Sequence, residues 1–159
     1  AEQAVEDLAE LFRASLKESQ EGTTVADEVR LCELYLGIEQ LRLGERLQVQ
    51  WQVAKEARDA PMPSLILQPL VENAVYHGIS RLPEGGLIRV SVNRRGSSIL
   101  AVLDNPMPAG VVESAGNHMA LANVEQRLLV TYGSSAGLKV IPGEGTFTVE
   151  LTYSPEQGL

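Results

Sequence analysis

Gln68-Pro69-Leu70-Val71-Glu72-Asn73-Ala74-Val75-Tyr76-His77-Gly78 is the stretch on which the fold turns. At about 100° per residue, Glu72, Asn73, Tyr76, His77 and Ser80 fall within one polar arc of a helix, and Leu67, Leu70, Val71, Ala74, Val75, Gly78 and Ile79 occupy the other side. Such a helix lays its apolar side on a second layer and keeps a wet side. A carboxylate, an amide and an imidazole on that side can hold a Mg²⁺-bound phosphate group and move a proton. The same arc is also the pattern of a solvated surface, with Glu72 and His77 as a surface pair.

Upstream, Pro61-Met62-Pro63 resets the chain, so the helix is expected over about 63 to 80 with Pro63 in its first turn. Pro69 removes a main-chain donor and should bend the helix before Glu72, unless the regular helix starts only near it. Thr24 with Asp27 three residues on reads as an N-cap for a helix over about 25 to 43, which carries one stripe at Val25, Val29, Cys32 and Leu36 and another at Leu31, Leu34, Ile38 and Leu41. Gly44-Glu45 ends it. Leu47, Val49, Trp51 and Val53 then alternate with Gln48, Gln50 and Gln52, the pattern of a half-buried antiparallel strand with Trp51 in the core. Further upstream, Val5, Leu8, Phe12 and Leu16 give residues 2 to 18 helical spacing.

Downstream, Leu87–Val92 and Ile99–Leu103 flank Arg95-Gly96-Ser97 as a hairpin. From Asp104 to about Asn117 the prolines and glycines leave little periodicity, a long loop. Met119 to Tyr132 is helical again and stops at Gly133; Leu138–Val140 and Phe147–Tyr153 form a last hairpin. The fold class expected is α+β: a two-layer α/β sandwich, with a mixed, mostly antiparallel sheet of about five strands covered on one face by about three helices, plus the N-terminal helix.

A chain of 159 residues fits one domain, and 44% apolar content suits a packed core. A net charge of -8 argues against nucleic acid as a partner, since phosphate backbones are bound by Lys and Arg clusters, and an anionic small ligand would need a cation as intermediary. Cys32, the only cysteine, sits in an apolar stripe and reads as a small core side chain. No stretch approaches the roughly 20 apolar residues that span a bilayer, so no membrane contact is expected of this segment, which reads as soluble, intracellular and cut from something longer.

Leu70–Gly78 resembles the N box of the ATP-binding (GHKL, or Bergerat) domain shared by sensor histidine kinases, type II topoisomerases, one class of heat-shock chaperones and MutL repair proteins. Tyr35–Leu43, Leu67–Asn73 and Asn123–Leu128 are together typical of the LytS-like branch of membrane sensor kinases, and the resemblance covers nearly the whole chain. It implies ATP and Mg²⁺ as ligands. Glu72 would be the general base, Asn73 the Mg²⁺ ligand, and His77 a donor to a phosphate oxygen. Asp104 would accept the adenine amine, with Thr146 supporting it, and Asn105, Gly116, Asn123 and Arg127 would complete the nucleotide site. The resemblance also implies a phosphoaccepting His upstream of residue 1, dimerisation through upstream helices, a LytTR-type response regulator as partner, and a cytoplasmic position below an inner-membrane input region. Residues 1–22 would be the tail of the dimerisation helix and linker, and 23–159 the catalytic domain.

The departures lie in the glycine boxes. Where the family has Asn-Gly-x-Gly after its aspartate, this chain has Asn105-Pro106-Met107-Pro108, and of the second box's three glycines only Gly116 remains, with His118 and Ala120 elsewhere in it. Glycines there let main-chain N–H groups approach phosphate oxygens, and proline has none to offer. The chain is then either a kinase with an altered phosphate cradle, or a degenerate domain that dimerises and engages the regulator with weak or no nucleotide turnover.

Overall fold

The structure, a computed structural model, describes residues 23–108 and 115–155, the side chains of 115–118 excepted. The expected helix over 2 to 18 lies outside the described residues. Five strands form one sheet in the order β1-β2-β3-β5-β4: β1 Leu47–Val53, β2 Gly86–Arg95, β3 Ser98–Pro106, β4 Gly137–Gly143 and β5 Thr146–Tyr153. Helices α1 Val25–Leu43, α2 Leu67–Asn73 and α3 Ala115–Tyr132 lie on one face of it. This is the α/β sandwich expected from the pattern.

Strand β1 is parallel to β2, from Leu47 opposite Gly86 to Val53 opposite Val92, and not antiparallel as its alternation suggested. Alternation reports a half-buried strand and is blind to direction; direction follows from the connection. Here the link between adjacent strands runs through α2, and a crossover of that length brings a strand back parallel. The other pairs, β2–β3, β3–β5 and β5–β4, are antiparallel.

The inner face of the sheet carries Leu47, Ile88, Val90, Val92, Ile99, Ala101, Leu103, Phe147, Val149, Leu151 and Tyr153, all buried. Against them pack Val25, Val29, Cys32 and Leu36 of α1, Leu67, Leu70 and Val71 of α2, and Leu121, Val124 and Leu128 of α3. Thr24 caps α1: its Oγ1 accepts from Asp27 N at 3.3 Å and the Asp27 carboxylate accepts from Thr24 N at 3.0 Å, the reciprocal box read from the sequence. Gly44, at φ 59, closes the helix.

Helix α2 starts at Leu67, not Pro63, and Pro69 therefore sits in its first turn, where no intrahelical acceptor awaits an N–H. The bend expected at Pro69 is not needed. The helix distorts later instead: Ala74–Gly78 winds as a π-helix, Ile79 N bonding back to Ala74 O and Val75 O, and Ile79–Arg81 tightens into a 3₁₀ turn.

Candidate functional site

Both ends of the α2 segment are held by charged groups from the preceding helix and turn. Glu28 of α1, fully buried, accepts from the main-chain N–H groups of Leu65 (2.8 Å), Ile66 (3.1 Å) and Leu67 (3.0 Å). Burial pushes its carboxyl above the usual glutamate range, and those N–H groups pull in the opposite direction. At the far end, an Arg46 guanidinium nitrogen donates to the carbonyls of Ser80 (3.2 Å) and Leu82 (2.9 Å). Anion at the N-terminus and cation at the C-terminus both match the helix dipole. Neither group stood out in the sequence, although Glu28 shares the helical face of Val25, Val29 and Cys32, an acid among apolar side chains.

The π turn changes which side chains share a face. An extra residue in one turn rotates the residues beyond it by roughly 100°. Glu72 and Tyr76 stay exposed and Asn73 is half-buried, but His77, expected on the wet arc, is turned inward and left 8% exposed. Burial, and then the nearby Arg81, lower its pKa below the ordinary histidine value. Its ring meets Tyr76 edge-on at 4.8 Å between centroids, and Arg81 lies over the Tyr76 ring at 5.6 Å. A neutral, buried imidazole is a poorer phosphate donor than the exposed one expected.

Beneath α2 lies a cavity lined by Leu70, Asn73 and Ala74, by Leu103, Asn105 and Met107, by Leu121 of α3, and by Phe147 and Val149 of β5. Two amides face an otherwise apolar enclosure. The Asn73 Nδ2 is buried and has no hydrogen-bond partner among the described residues, a state that a native fold keeps only with a reason. Asn105 is 1% exposed, and its Nδ2 donates to the Pro106 carbonyl at 2.9 Å.

Asp104 is not part of that cavity. Strand β3 does not end at Leu103 but runs on to Pro106, and its side chains alternate: Ile99, Ala101, Leu103 and Asn105 are buried, while Leu100, Val102 and Asp104 face the other side. Asp104 lines a groove on the outer, helix-free face with Gln50, Gln52, Arg89 and Ser91. The sheet itself separates it from Asn73. Thr146 is exposed at the start of β5, opposite Pro106 in the register, while Asp104 stands opposite Thr148.

Glu72 accepts from Gln68 Nε2 at 3.1 Å and lies close enough to Tyr35 of α1 that it contributes, after burial and Glu39, to raising the tyrosine's pKa. Arg127 is engaged elsewhere: its guanidinium donates to the carbonyls of Ser64 and Leu65, tying α3 to the approach to α2. Asn123 is exposed on α3, and the backbone of Gly116 lies in the first turn of that helix. The structure thus puts Asn73 and Asn105 in one cavity wall, with Glu72 exposed next to Asn73 on α2, and sets Asp104 and Thr146 apart from that cavity.

A family model for histidine kinases matches residues 1–47. The sensor histidine kinase BtsS of Escherichia coli is 33% identical over 150 residues, which is 93% of this chain and 26% of that protein. YesM of Bacillus subtilis, another sensor histidine kinase, is 29% identical over 140 residues, 86% of this chain and 24% of its own length. This chain is a homologue of sensor histidine kinases. It spans about a quarter of the length of these relatives. The fold agrees: the catalytic domain of histidine kinase ThkA superposes with a TM-score of 0.63 at 11% identity, covering 85% of this chain and 97% of that one, and Acinetobacter baumannii AdeS with 0.64 at 14%, covering 94% and 76%. Among the described residues no helix is long and apolar enough to cross a membrane.

Proposed function

We propose that this chain is the catalytic, ATP-binding part of a sensor histidine kinase, which passes the γ-phosphoryl group of ATP to a histidine upstream of this segment and thence to a response regulator. The observation that carries the reading is the half-buried Asn73, whose buried amide nitrogen has no partner among the described residues, in the wall of the small cavity under α2, with the exposed carboxylate of Glu72 beside it.

The residues fit a metal that arrives with its substrate. Among the described residues no cluster of three or more His, Cys, Asp or Glu could hold an ion alone, and Mg²⁺ in phosphoryl-transfer sites keeps its waters and takes few protein ligands besides substrate phosphates. Asn73 would provide one neutral oxygen. Bound Mg²⁺ supplies charge neutralisation on the transferring group. Glu72, oriented by Gln68, would hold or take the proton of the attacking imidazole, and the apolar side chains of Leu70, Leu103, Leu121 and Phe147 would keep water from the underside of α2. Phosphoryl transfer is catalysed mainly by positioning and electrostatics, so such a sparse set of residues is sufficient. Where the glycine boxes are altered, phosphate contacts would fall to α3's first turn, which still has Gly116.

The resemblance to the LytS-like branch supports a LytTR-type regulator as partner, homodimerisation through upstream helices and a cytoplasmic position beneath a membrane input region. Within that branch the chain looks most like AlgZ, also called FimS, the sensor of the alginate and type IV pilus regulatory pair.

Calorimetric titration of the folded chain with ATP is the test. Binding should require Mg²⁺, and Asn73→Ala should remove that requirement along with most of the affinity. Absence of any ATP or ADP binding at millimolar ligand would overturn the proposal.

A further inference from the structure

Among the described residues Leu65 alone, glycines aside, has a positive φ, at 58°. An L side chain in this conformation crowds the carbonyl that follows it, so glycine and asparagine adopt it readily and leucine rarely does. Burial does not offset that cost, because the side chain is 41% exposed.

Charge holds the backbone there, from two sides. The Leu65 N–H donates to the Glu28 carboxylate of α1 at 2.8 Å, with the N–H groups of Ile66 and Leu67 beside it. The Leu65 carbonyl, with that of Ser64, accepts from the Arg127 guanidinium of α3. One residue thus has its donor fixed by a carboxylate from one helix and its acceptor by a cation from another. Hydrogen bonds to ionised groups are roughly twice as strong as neutral ones, which suits them to keep a backbone that the side chain disfavours. Leu65 stands two residues before α2, the helix of Glu72 and Asn73, so its φ sets the direction in which that helix starts. Strain kept at such a place points to a use.

We propose that Leu65 is a strained joint that makes the placement of α2 depend on the seating of α3, and that Arg127 is the positioning residue that keeps the joint closed. The inference rests on Glu72 and Asn73 serving a nucleotide. With Arg127 engaged, left-handed Leu65 aims α2 and both side chains with it. With Arg127 withdrawn, the leucine relaxes to negative φ, and only the fraction of molecules still closed is ready to bind. A glycine at this position would leave α2 indifferent to Arg127; a leucine couples the two helices.

Amide hydrogen exchange without nucleotide and calorimetric titration with Mg·ATP, both on the full chain, test this. Arg127→Ala should speed exchange of the Leu65, Ile66 and Leu67 N–H groups and weaken Mg·ATP binding, each by about 5- to 30-fold, the range that relief of one left-handed residue supplies. Adding Leu65→Asn, which takes a positive φ readily, should restore most of both. Leu65→Val, branched at Cβ, should by itself imitate Arg127→Ala. A guanidinium that merely fastened α3 would be blind to the residue at 65, so the rescue decides. Circular dichroism and urea unfolding identify a variant that has lost its fold; if Arg127→Ala is one, Arg127→Lys, which lacks the planar fork that reaches two carbonyls, takes its place. Wild-type exchange and binding in the Arg127 variant, or no rescue by Leu65→Asn, overturns the inference alone. Absence of ATP binding by wild type overturns the nucleotide reading and the positioning role with it, while the exchange rates still decide whether the joint exists.

Discussion

His77 illustrates how far one residue's chemistry depends on a rotation of roughly 100° about a helix axis. Its ring is 8% exposed, and burial and Arg81 hold its pKa below the ordinary histidine value of 6.5. The folded chain therefore disfavours the proton that the unfolded chain accepts. The full contribution to stability is accordingly present above about pH 6.5, and it is lost as pH falls through the lower folded value. Two-dimensional NMR of the imidazole should give a midpoint below 6.5, and the urea midpoint of wild type should fall over that range more steeply than that of His77→Gln. A midpoint at or above 6.5 would show that the ring is wetter than the structure has it. Asn105 and Asp104 make the complementary point. The proline-rich wording after Leu103 reads as a loop, which hides that β3 runs on to Pro106 and that its alternation puts Asn105 inside and Asp104 outside.

At the scale of elements, α2 is a short helix that does not stand by itself. Helices shorter than about 12 residues are marginal in water and need tertiary support, which here comes from Glu28 at one end and Arg46 at the other. Glu28→Gln places an NH₂ group where three N–H donors point, and should destabilise the domain by about 1–3 kcal/mol in urea unfolding near pH 4. The raised carboxyl adds a pH signature. Wild type draws stability from a protonated Glu28 below about 4.5, and that contribution is lost as pH rises through the higher folded value. The gap between wild type and Glu28→Gln should accordingly narrow towards neutral pH; a gap that widens would mean the hydrogen bonds outweigh burial. Gly78→Ala tests the π turn: the new Cβ meets Asn105 and the Pro106 backbone, and overpacking of this kind costs about 1–3 kcal/mol. Caps such as Thr24–Asp27 were legible because they are local; the Glu28 contact spans 37 residues and left only an acid on an apolar face.

For the whole molecule, periodicity and turn residues delivered the layer order and five strands, because burial of one face imprints itself on sequence. The direction of β1 was not legible, since a strand's pattern does not record its neighbour's polarity. The sheet and the helical layer are also joined by single bonds. Tyr153 at the end of β5 is fully buried, stacks at 4.7 Å on Tyr132 of α3, and donates to Pro61 O at 2.8 Å, in the segment whose neighbours Ala60 and Met62 bond to Val25 and Thr23. Tyr153→Phe keeps the stack and removes the bond. It should lower stability by about 1 kcal/mol in equilibrium unfolding, and a neutral result would mean that water replaces the hydroxyl.

The β2–β3 hairpin acts as a ruler. Arg95 faces Ser98 across a connection of two residues, with Gly96 at φ 60, and from Ser98 the chain counts seven residues to place Asn105 indoors and Asp104 outdoors. Sheet side chains have period two, so a slip of one residue would exchange the pair, putting a carboxylate under α2 and an amide in solvent. The chemistry of the cavity wall is thereby delegated to the geometry of a turn at the far end of the strand, where a single inserted residue would be felt as a change of side chain under α2.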